Sequence, residues 1–80
     1  MGIMEYVRSS ELPSERVAAD LRRRVQGGEW APGEQLPSVA QLAQHYSTSR
    51  TTVQKAVKML AAEEILVTRH GWGTFVADGH

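Results

Sequence analysis

The stretch Ser49–Leu60, which reads Ser-Arg-Thr-Thr-Val-Gln-Lys-Ala-Val-Lys-Met-Leu, decides the fold. Ser49 is a favourable N-cap, because its hydroxyl oxygen can accept a hydrogen bond from a free N–H of the first turn; a helix is therefore predicted to begin near Arg50. At about 100° per residue, apolar and polar positions separate onto opposite sides of this helix. The apolar side comprises Val53, Ala56, Val57 and Leu60, and the polar side comprises Arg50, Thr51, Gln54, Lys55 and Lys58.

The polar side of this helix suits a large anionic ligand. Residues 49–62 contain three basic side chains and no acidic one. The first turn carries the Arg50 guanidinium and the hydroxyls of Thr51 and Thr52 beside the positive end of the helix dipole, where phosphate binds favourably. The stretch therefore predicts contacts with phosphates and base edges.

Length and composition limit the alternatives. Eighty residues make one small domain, which hides only about 60 to 65% of the surface of its unfolded chain. The chain has no cysteine, so neither disulfides nor a thiolate zinc site support the core.

His45, His70 and His80 follow no metal-ligand spacing, and we expect no metal or cofactor. No apolar run is long enough to cross a bilayer, and residues 1–10 lack a signal-peptide block, so we expect a cytoplasmic protein without a membrane partner.

The charge distribution is nearly even along the chain. The formal net charge is zero, which counts against a nucleic-acid partner, since such domains are often strongly basic. Residues 1–48 carry five basic and six acidic side chains, and residues 49–80 carry four and three. Only the local cluster on one helix face therefore argues for nucleic-acid binding.

Upstream of the Ser49 helix, the sequence predicts a flexible arm and one further long helix. Residues 1–12 show no sustained period and are expected to form the arm. A helix is predicted to start at Pro13-Ser14, with Val17, Leu21 and Val25 on its core side and Gly27-Gly28 at its end. The run Arg22-Arg23-Arg24 is interpreted as a solvated face, with Arg22 as the member best placed to reach a phosphate.

A short helix comes directly before Ser49. Ser38 is its predicted cap, and Val39, Leu42, Ala43 and Tyr46 fall at i, i+3, i+4 and i+7. Only Ser47 and Thr48 separate this helix from the cap at Ser49. The two helices must therefore turn sharply against each other, which is the spacing of a helix-turn-helix.

The residues after the Ser49 helix predict a β-hairpin. Residues 65–68 and 74–76 favour strands, and 69–73 form a turn that contains two glycines. A hairpin after a helix-turn-helix is a wing, and its glycines allow the backbone to approach a phosphate closely. The predicted fold class is mainly α with a small hairpin: a winged helix-turn-helix of three helices and a two-stranded wing over residues 13–77, with a tail at 78–80.

The order and spacing of these segments resemble the DNA-binding domain of GntR-type bacterial transcriptional regulators. The resemblance runs from about Arg16 to Val76 and rests on Pro32-Gly33, Leu36-Pro37-Ser38, Leu42-Ala43, Ser49-Arg50-Thr51-Thr52-Val53, Ala56-Val57, Leu60 and His70-Gly71-Trp72-Gly73-Thr74-Phe75-Val76. It implies a repressor that binds double-stranded DNA sequence-specifically, with residues 49–62 in the major groove and 70–73 at the minor groove. It also implies a homodimer on a palindromic operator, and base or phosphate contacts by Arg50, Thr51, Thr52, His70 and Gly71.

The predicted DNA-binding residues combine this resemblance with the polar face of the helix. They are Ser38, Ser49, Arg50, Thr51, Thr52, Gln54, Lys55, Lys58, Arg69, His70, Gly71 and Trp72. The chain departs from the family pattern where Val39-Ala40 replaces Glu-Arg, which removes an arginine that relatives use on DNA. It also carries Gln54 and Lys55 in place of the usual Arg and Glu, and glutamine can read adenine.

Three alternatives accompany this interpretation. A winged helix can serve as a protein-interaction or dimerisation module instead of a DNA reader. An enzyme is disfavoured, because His45, Ser47, Ser49 and Glu63 lie in no nucleophile or paired-carboxylate motif. Family members normally continue into an effector-binding domain, which this chain lacks, so the chain is expected to be either an excised N-terminal domain or a stand-alone regulator.

Overall fold

The computed structural model describes residues 13–78 and consists of three helices followed by a two-stranded antiparallel sheet. The elements are α1 (Pro13–Gln26), α2 (Val39–His45), α3 (Arg50–Ala62), β1 (Leu66–Arg69) and β2 (Gly73–Val76). This order confirms the predicted fold class. The predicted flexible arm at residues 1–12 and the last two residues of the predicted tail lie outside the described residues.

Both predicted caps of the helix-turn-helix are confirmed. The Ser38 hydroxyl accepts a hydrogen bond from the Gln41 N–H at 3.1 Å, and the Gln41 side chain accepts one from the Ser38 N–H at 2.8 Å, so α2 begins with a complete capping box. At the start of α3, the Ser49 hydroxyl accepts from the Thr52 N–H at 3.1 Å. These bonds fix where both helices begin, although α2 is only 7 residues long.

The core is built around α3, against which both α1 and α2 pack. The four apolar positions predicted for α3 are all buried, and α1 contributes Val17, Ala18 and Leu21 to the same cluster. Leu42 and Ala43 of α2 are also buried, whereas the predicted core positions Val25, Val39 and Tyr46 are only partly so. Because one side of α3 is covered completely, its opposite side is left for other contacts.

Two sharp turns are made by non-glycine residues with positive φ. Ser47, between α2 and α3, has φ 53°, and Glu64, between α3 and β1, has φ 63°. Residues other than glycine rarely adopt this left-handed backbone conformation, because their Cβ atom comes too close to the following carbonyl oxygen. After Glu64, the Ile65 N–H still donates to the Leu60 carbonyl of α3 at 2.9 Å. The first strand therefore begins at Leu66, one residue later than predicted.

The wing is fastened to the loop between α1 and α2. In the hairpin, Leu66 pairs with Val76 and Arg69 with Gly73. On the other edge of β2, the Leu36 N–H donates to the Thr74 carbonyl at 2.8 Å and the Val76 N–H donates to the Glu34 carbonyl at 2.9 Å. The loop therefore pairs with β2 much as a third strand would.

The arginine run of α1 is engaged inside the domain. Arg22 pairs with Glu63, Arg23 with Asp20, and Arg24 with Glu29. The Arg22 guanidinium forms two hydrogen bonds, of 2.9 and 2.6 Å, with the Glu63 carboxylate, so a phosphate contact by Arg22, which stays a prediction, would have to compete with this ion pair. The two residues lie 41 positions apart in the sequence, so no local pattern predicts this pair.

Arg24 joins α1 to α2. Its guanidinium donates to the Tyr46 hydroxyl at 2.8 Å and lies over the Trp30 ring at 4.7 Å from the ring centre. The Tyr46 hydroxyl donates in turn to Asp20 at 2.5 Å. Burial raises the pKa of Tyr46, and the hydrogen bond to Asp20 acts in the same direction. The side chain of Tyr46 thus belongs to the packing between these helices.

Candidate nucleic-acid interface

The uncovered side of α3 is polar, cationic and accessible. Arg50, Thr51, Gln54, Lys55 and Lys58 are all exposed. No acidic residue lies in α3. The helix can therefore present hydrogen-bond donors and positive charge to a ligand over its whole length without a competing carboxylate of its own.

A cleft separates α3 from the wing. It encloses about 450 Å³, and its helix wall is formed by Thr51, Gln54, Lys55 and Lys58. The wall on the wing is formed by Thr68 and Thr74, which are paired across the hairpin. Neither threonine is among the DNA-binding residues predicted from the sequence. Their position follows from the strand register, and alternation along each strand would have put both on one face once that register was known.

The wing tip forms the second part of the candidate surface. Arg69, His70 and Gly71 are exposed, and Trp72 is 73% exposed. Gly71 has φ 81°, which glycine adopts without strain. The tip borders a groove of about 830 Å³ that is also lined by Ser38, so the predicted residue at the start of α2 lies beside the predicted wing residues.

Three predicted residues at the start of α3 have a different setting. Ser49 and Thr52 bond to each other, because the Ser49 hydroxyl donates to the Thr52 hydroxyl oxygen at 3.0 Å while also capping the helix. Their hydroxyls therefore have a structural role in addition to the predicted contact. Arg50 is exposed but lines neither of the two hollows beside the wing. It is the first residue of α3, so its side chain can extend beyond the N-terminal end of the helix.

Seven of the eight Arg and Lys side chains in residues 13–78 divide into two groups; the eighth, Arg16 of α1, is exposed and takes part in none of the ion pairs. Those of the α1 run are neutralised by carboxylates: the hydrogen bonds from Arg22 lower the pKa of Glu63, and those from Arg24 lower the pKa of Glu29. Within residues 13–78, the four cations of α3 and the wing, which are Arg50, Lys55, Lys58 and Arg69, take part in no ion pair. Positive charge free to meet an anion is thus concentrated on the face that carries the cleft, despite the zero net charge.

Two further observations on residues 13–78 concern metal ions and membranes. No group of three or more His, Asp or Glu side chains there is arranged to hold a metal ion. No described helix is long and apolar enough to cross a membrane.

Three helices, a sharp turn between the second and third, and a hairpin beside the third define a winged helix-turn-helix domain. The sequence of residues 13–76 matches the family described as bacterial regulatory proteins, gntR family. The chain belongs to this family, and these residues are its DNA-binding domain.

The relatives of this chain include named transcriptional repressors and regulators. The histidine utilization repressor of Klebsiella aerogenes is 36% identical over 64 residues, which cover 80% of this chain and 27% of that protein. The HTH-type transcriptional regulator TreR of Bacillus subtilis is 40% identical over 57 residues, or 71% of this chain and 24% of TreR. The chain thus spans about a quarter of the length of these curated relatives.

Solved structures of the same fold include complexes with DNA. The DNA-binding domain of AraR bound to operator ORE1 has a TM-score of 0.80 and 29% identity, covering 82% of this chain and 80% of that one. A GntR family transcriptional regulator from Listeria monocytogenes has a TM-score of 0.81 and 26% identity, covering 86% of this chain and 60% of that one.

Proposed function

We propose that this domain binds double-stranded DNA sequence-specifically, with α3 in the major groove and the wing at the adjacent minor groove. The observation that carries the proposal is the cleft between α3 and the wing. Lysines and a glutamine on one wall face threonines on the other, and no carboxylate lines it. Phosphate oxygens are hydrogen-bond acceptors with negative charge, so a DNA strand would find donors on both sides.

The residues divide by the chemistry they offer. Arg50, at the start of α3, suits guanine, whose O6 and N7 accept a bidentate arginine, and Gln54 suits adenine through N6 and N7. Thr51 and Thr52 add short hydroxyl contacts to bases or phosphates at the same end. Lys55, Lys58 and Arg69 offer charge without base preference and suit phosphates.

The remaining predicted contacts lie at two helix starts and at the wing tip. Ser38 and Ser49 sit at helix starts, where a hydroxyl and a nearby backbone N–H can both meet a phosphate. Gly71 lets the tip approach the sugar-phosphate backbone closely, while His70 and the exposed Trp72 reach toward the minor groove.

We further propose that the protein acts as a repressor and binds a palindromic operator as a homodimer. Relatives such as the Klebsiella aerogenes protein are named repressors, and the AraR domain was solved on an operator. A pair of domains on two half-sites matches the two-fold symmetry of a palindrome. The proposed role is one of binding rather than catalysis, and it would be exercised in the bacterial cytoplasm.

A protein-interaction role is the second candidate, and the exposed apolar side chains of Trp72 and Val67 favour it. Salt dependence separates the two functions. If Arg50, Lys55, Lys58 and Arg69 all contact phosphates, the logarithm of the binding constant falls against the logarithm of salt concentration with a slope of about −3 to −4 per domain. A slope near zero, with binding to a protein instead, would reject DNA binding. Fluorescence anisotropy of labelled duplexes over a salt series provides the measurement.

A further inference from the structure

We propose that Gln35, in the loop between α1 and α2, is a positioning residue that holds the wing tip in place for DNA. The inference builds on the proposed function, since it concerns how the wing is presented. Gln35 lies outside the hairpin and 37 residues from its partner, Trp72, in the sequence. No motif pointed to it.

The contact between Gln35 and the wing is direct. The side-chain amide of Gln35 donates to the Trp72 carbonyl at 2.8 Å. The backbone of Gln35 also forms an isolated bridge with Phe75, so the side chain starts from a point already fixed against β2. Backbone pairing and the amide hydrogen bond therefore act on the same hairpin from the same side.

Gly73 makes this approach possible. A Cβ placed on Gly73 would lie 2.5 Å from the Gln35 side-chain nitrogen, which is closer than atoms in real structures come. Gly73 also has φ 126°, a backbone conformation that residues other than glycine rarely adopt. The bare backbone at this position leaves the space that the Gln35 amide occupies.

The turn at the tip needs such support. It contains Gly71 and is followed by Gly73, and within the hairpin the Trp72 N–H donates back to the Arg69 carbonyl at 2.9 Å. Strands of 4 residues form only a short ribbon, and the backbone hydrogen bonds from the loop between α1 and α2 reach Thr74 and Val76 of β2 but not the turn itself. The Gln35 hydrogen bond adds a second restraint on Trp72 from outside the ribbon.

The restraint acts on Trp72, the large apolar residue exposed at the tip. The Trp72 carbonyl is held against the loop while the residue remains 73% exposed. Apolar and aromatic side chains that enter the minor groove contact sugars and bases there. A backbone held before binding loses less conformational entropy on binding, so Gln35 raises the affinity that the Trp72 contact provides.

The first test uses the free 80-residue chain. Gln35→Met preserves the length of the side chain and removes the donor, and Gln26→Met changes another exposed glutamine, at the end of α1. Backbone ¹⁵N relaxation should give order parameters for Gly71 and Trp72 that fall from about 0.85 toward about 0.6 in Gln35→Met only. Unchanged order parameters in Gln35→Met would overturn the proposal.

The second test is a double-mutant cycle on a selected DNA site. Trp72→Ala should weaken binding about fivefold or more in the wild-type background and less than about twofold in the Gln35→Met background, because the positioned contact is already lost. Base preference opposite Gln54 should stay the same in Gln35→Met, which a general loss of structure would not allow. Equal effects of Trp72→Ala in both backgrounds would contradict a positioning role.

The two tests separate failure of this inference from failure of the proposed function. If the wild-type chain binds no DNA site specifically, the proposed function and the DNA part of this inference both fail. The order parameters still decide whether Gln35 holds the turn. If the wild-type chain binds specifically and the cycle is additive, only the role of Gln35 is rejected.

Discussion

Arg22 of α1 and Glu63 at the end of α3 form a two-bond ion pair, with nitrogen-to-oxygen distances of 2.9 and 2.6 Å. The guanidinium and the carboxylate are matched in shape, which favours this paired geometry. The pair ties the first helix to the far end of the helix that carries the proposed DNA contacts. The contribution of this ion pair to stability can be measured from how the thermal midpoint of unfolding depends on pH.

We expect Glu63→Gln to lower the thermal midpoint at pH 7 and to remove part of the acid sensitivity of the fold. The hydrogen bonds from Arg22 lower the pKa of Glu63 in the folded state below its ordinary value of 4.5. The ion pair therefore stabilises the fold above pH 4.5, and this contribution is lost as the pH falls through the folded-state pKa. Midpoints of variant and wild type should converge in acid. Glu64→Gln, at a neighbouring exposed carboxylate, is the control, and an equal effect of the two variants would contradict the assignment.

Ser47→Gly and Glu64→Gly should each stabilise the domain. Both residues have positive φ, and glycine removes a cost of about 1 kcal/mol at such a position, offset in part by the greater freedom of the unfolded chain. Lys58→Gly, in the exposed middle of α3, should instead destabilise by about 1 kcal/mol. Urea unfolding of the three variants provides the comparison. A loss of stability in both turn variants would show that these turns store no strain.

The sequence predicted the helices well because burial follows a helical period. The four buried positions of α3 and the caps at Ser38 and Ser49 were all visible as local patterns. The predicted start of β1 lies one residue before the observed start, because no local pattern shows that the Ile65 N–H still donates to the Leu60 carbonyl. The contact between Arg22 and Glu63 and the contact between Gln35 and Trp72 could not be predicted, because each joins residues that lie far apart in the sequence.

Arg50→Ala should reduce the affinity for a selected site by about 1 to 3 kcal/mol and relax the choice at one base pair. The reason is the loss of a guanidinium that can bond to two acceptors of one base. Affinities for the selected duplex and for single-base variants of it, compared between wild type and Arg50→Ala, provide the test. Equal affinity of both proteins for the selected site would reject α3 as the recognition helix.

Lys58→Ala should weaken binding to all duplexes alike and reduce the magnitude of the salt slope by about 1, because a phosphate contact carries charge and no base information. Thr68→Val is the matched comparison on the facing wall of the cleft. It removes a neutral hydroxyl, so affinity should fall with little change in slope. A slope that Lys58→Ala leaves unchanged would place this lysine away from the DNA backbone.

The 80-residue chain should be monomeric at micromolar concentration and pair only on DNA. The apolar face of α3 is buried in the core of the domain. This helix therefore has no long apolar stripe left to form a helical dimer interface. Sedimentation velocity without DNA and with a two-half-site duplex would measure both states. A tight dimer in the absence of DNA would contradict this expectation.

Selection of duplexes from a random pool by the 80-residue chain tests the central claim most directly, because it assumes no operator. We expect enrichment of a palindrome whose half-sites lie about one helical turn or less apart, with an adenine preference that Gln54→Ala relaxes. A pool that remains random after repeated rounds, with binding that disappears at moderate salt, would contradict sequence-specific recognition by this domain.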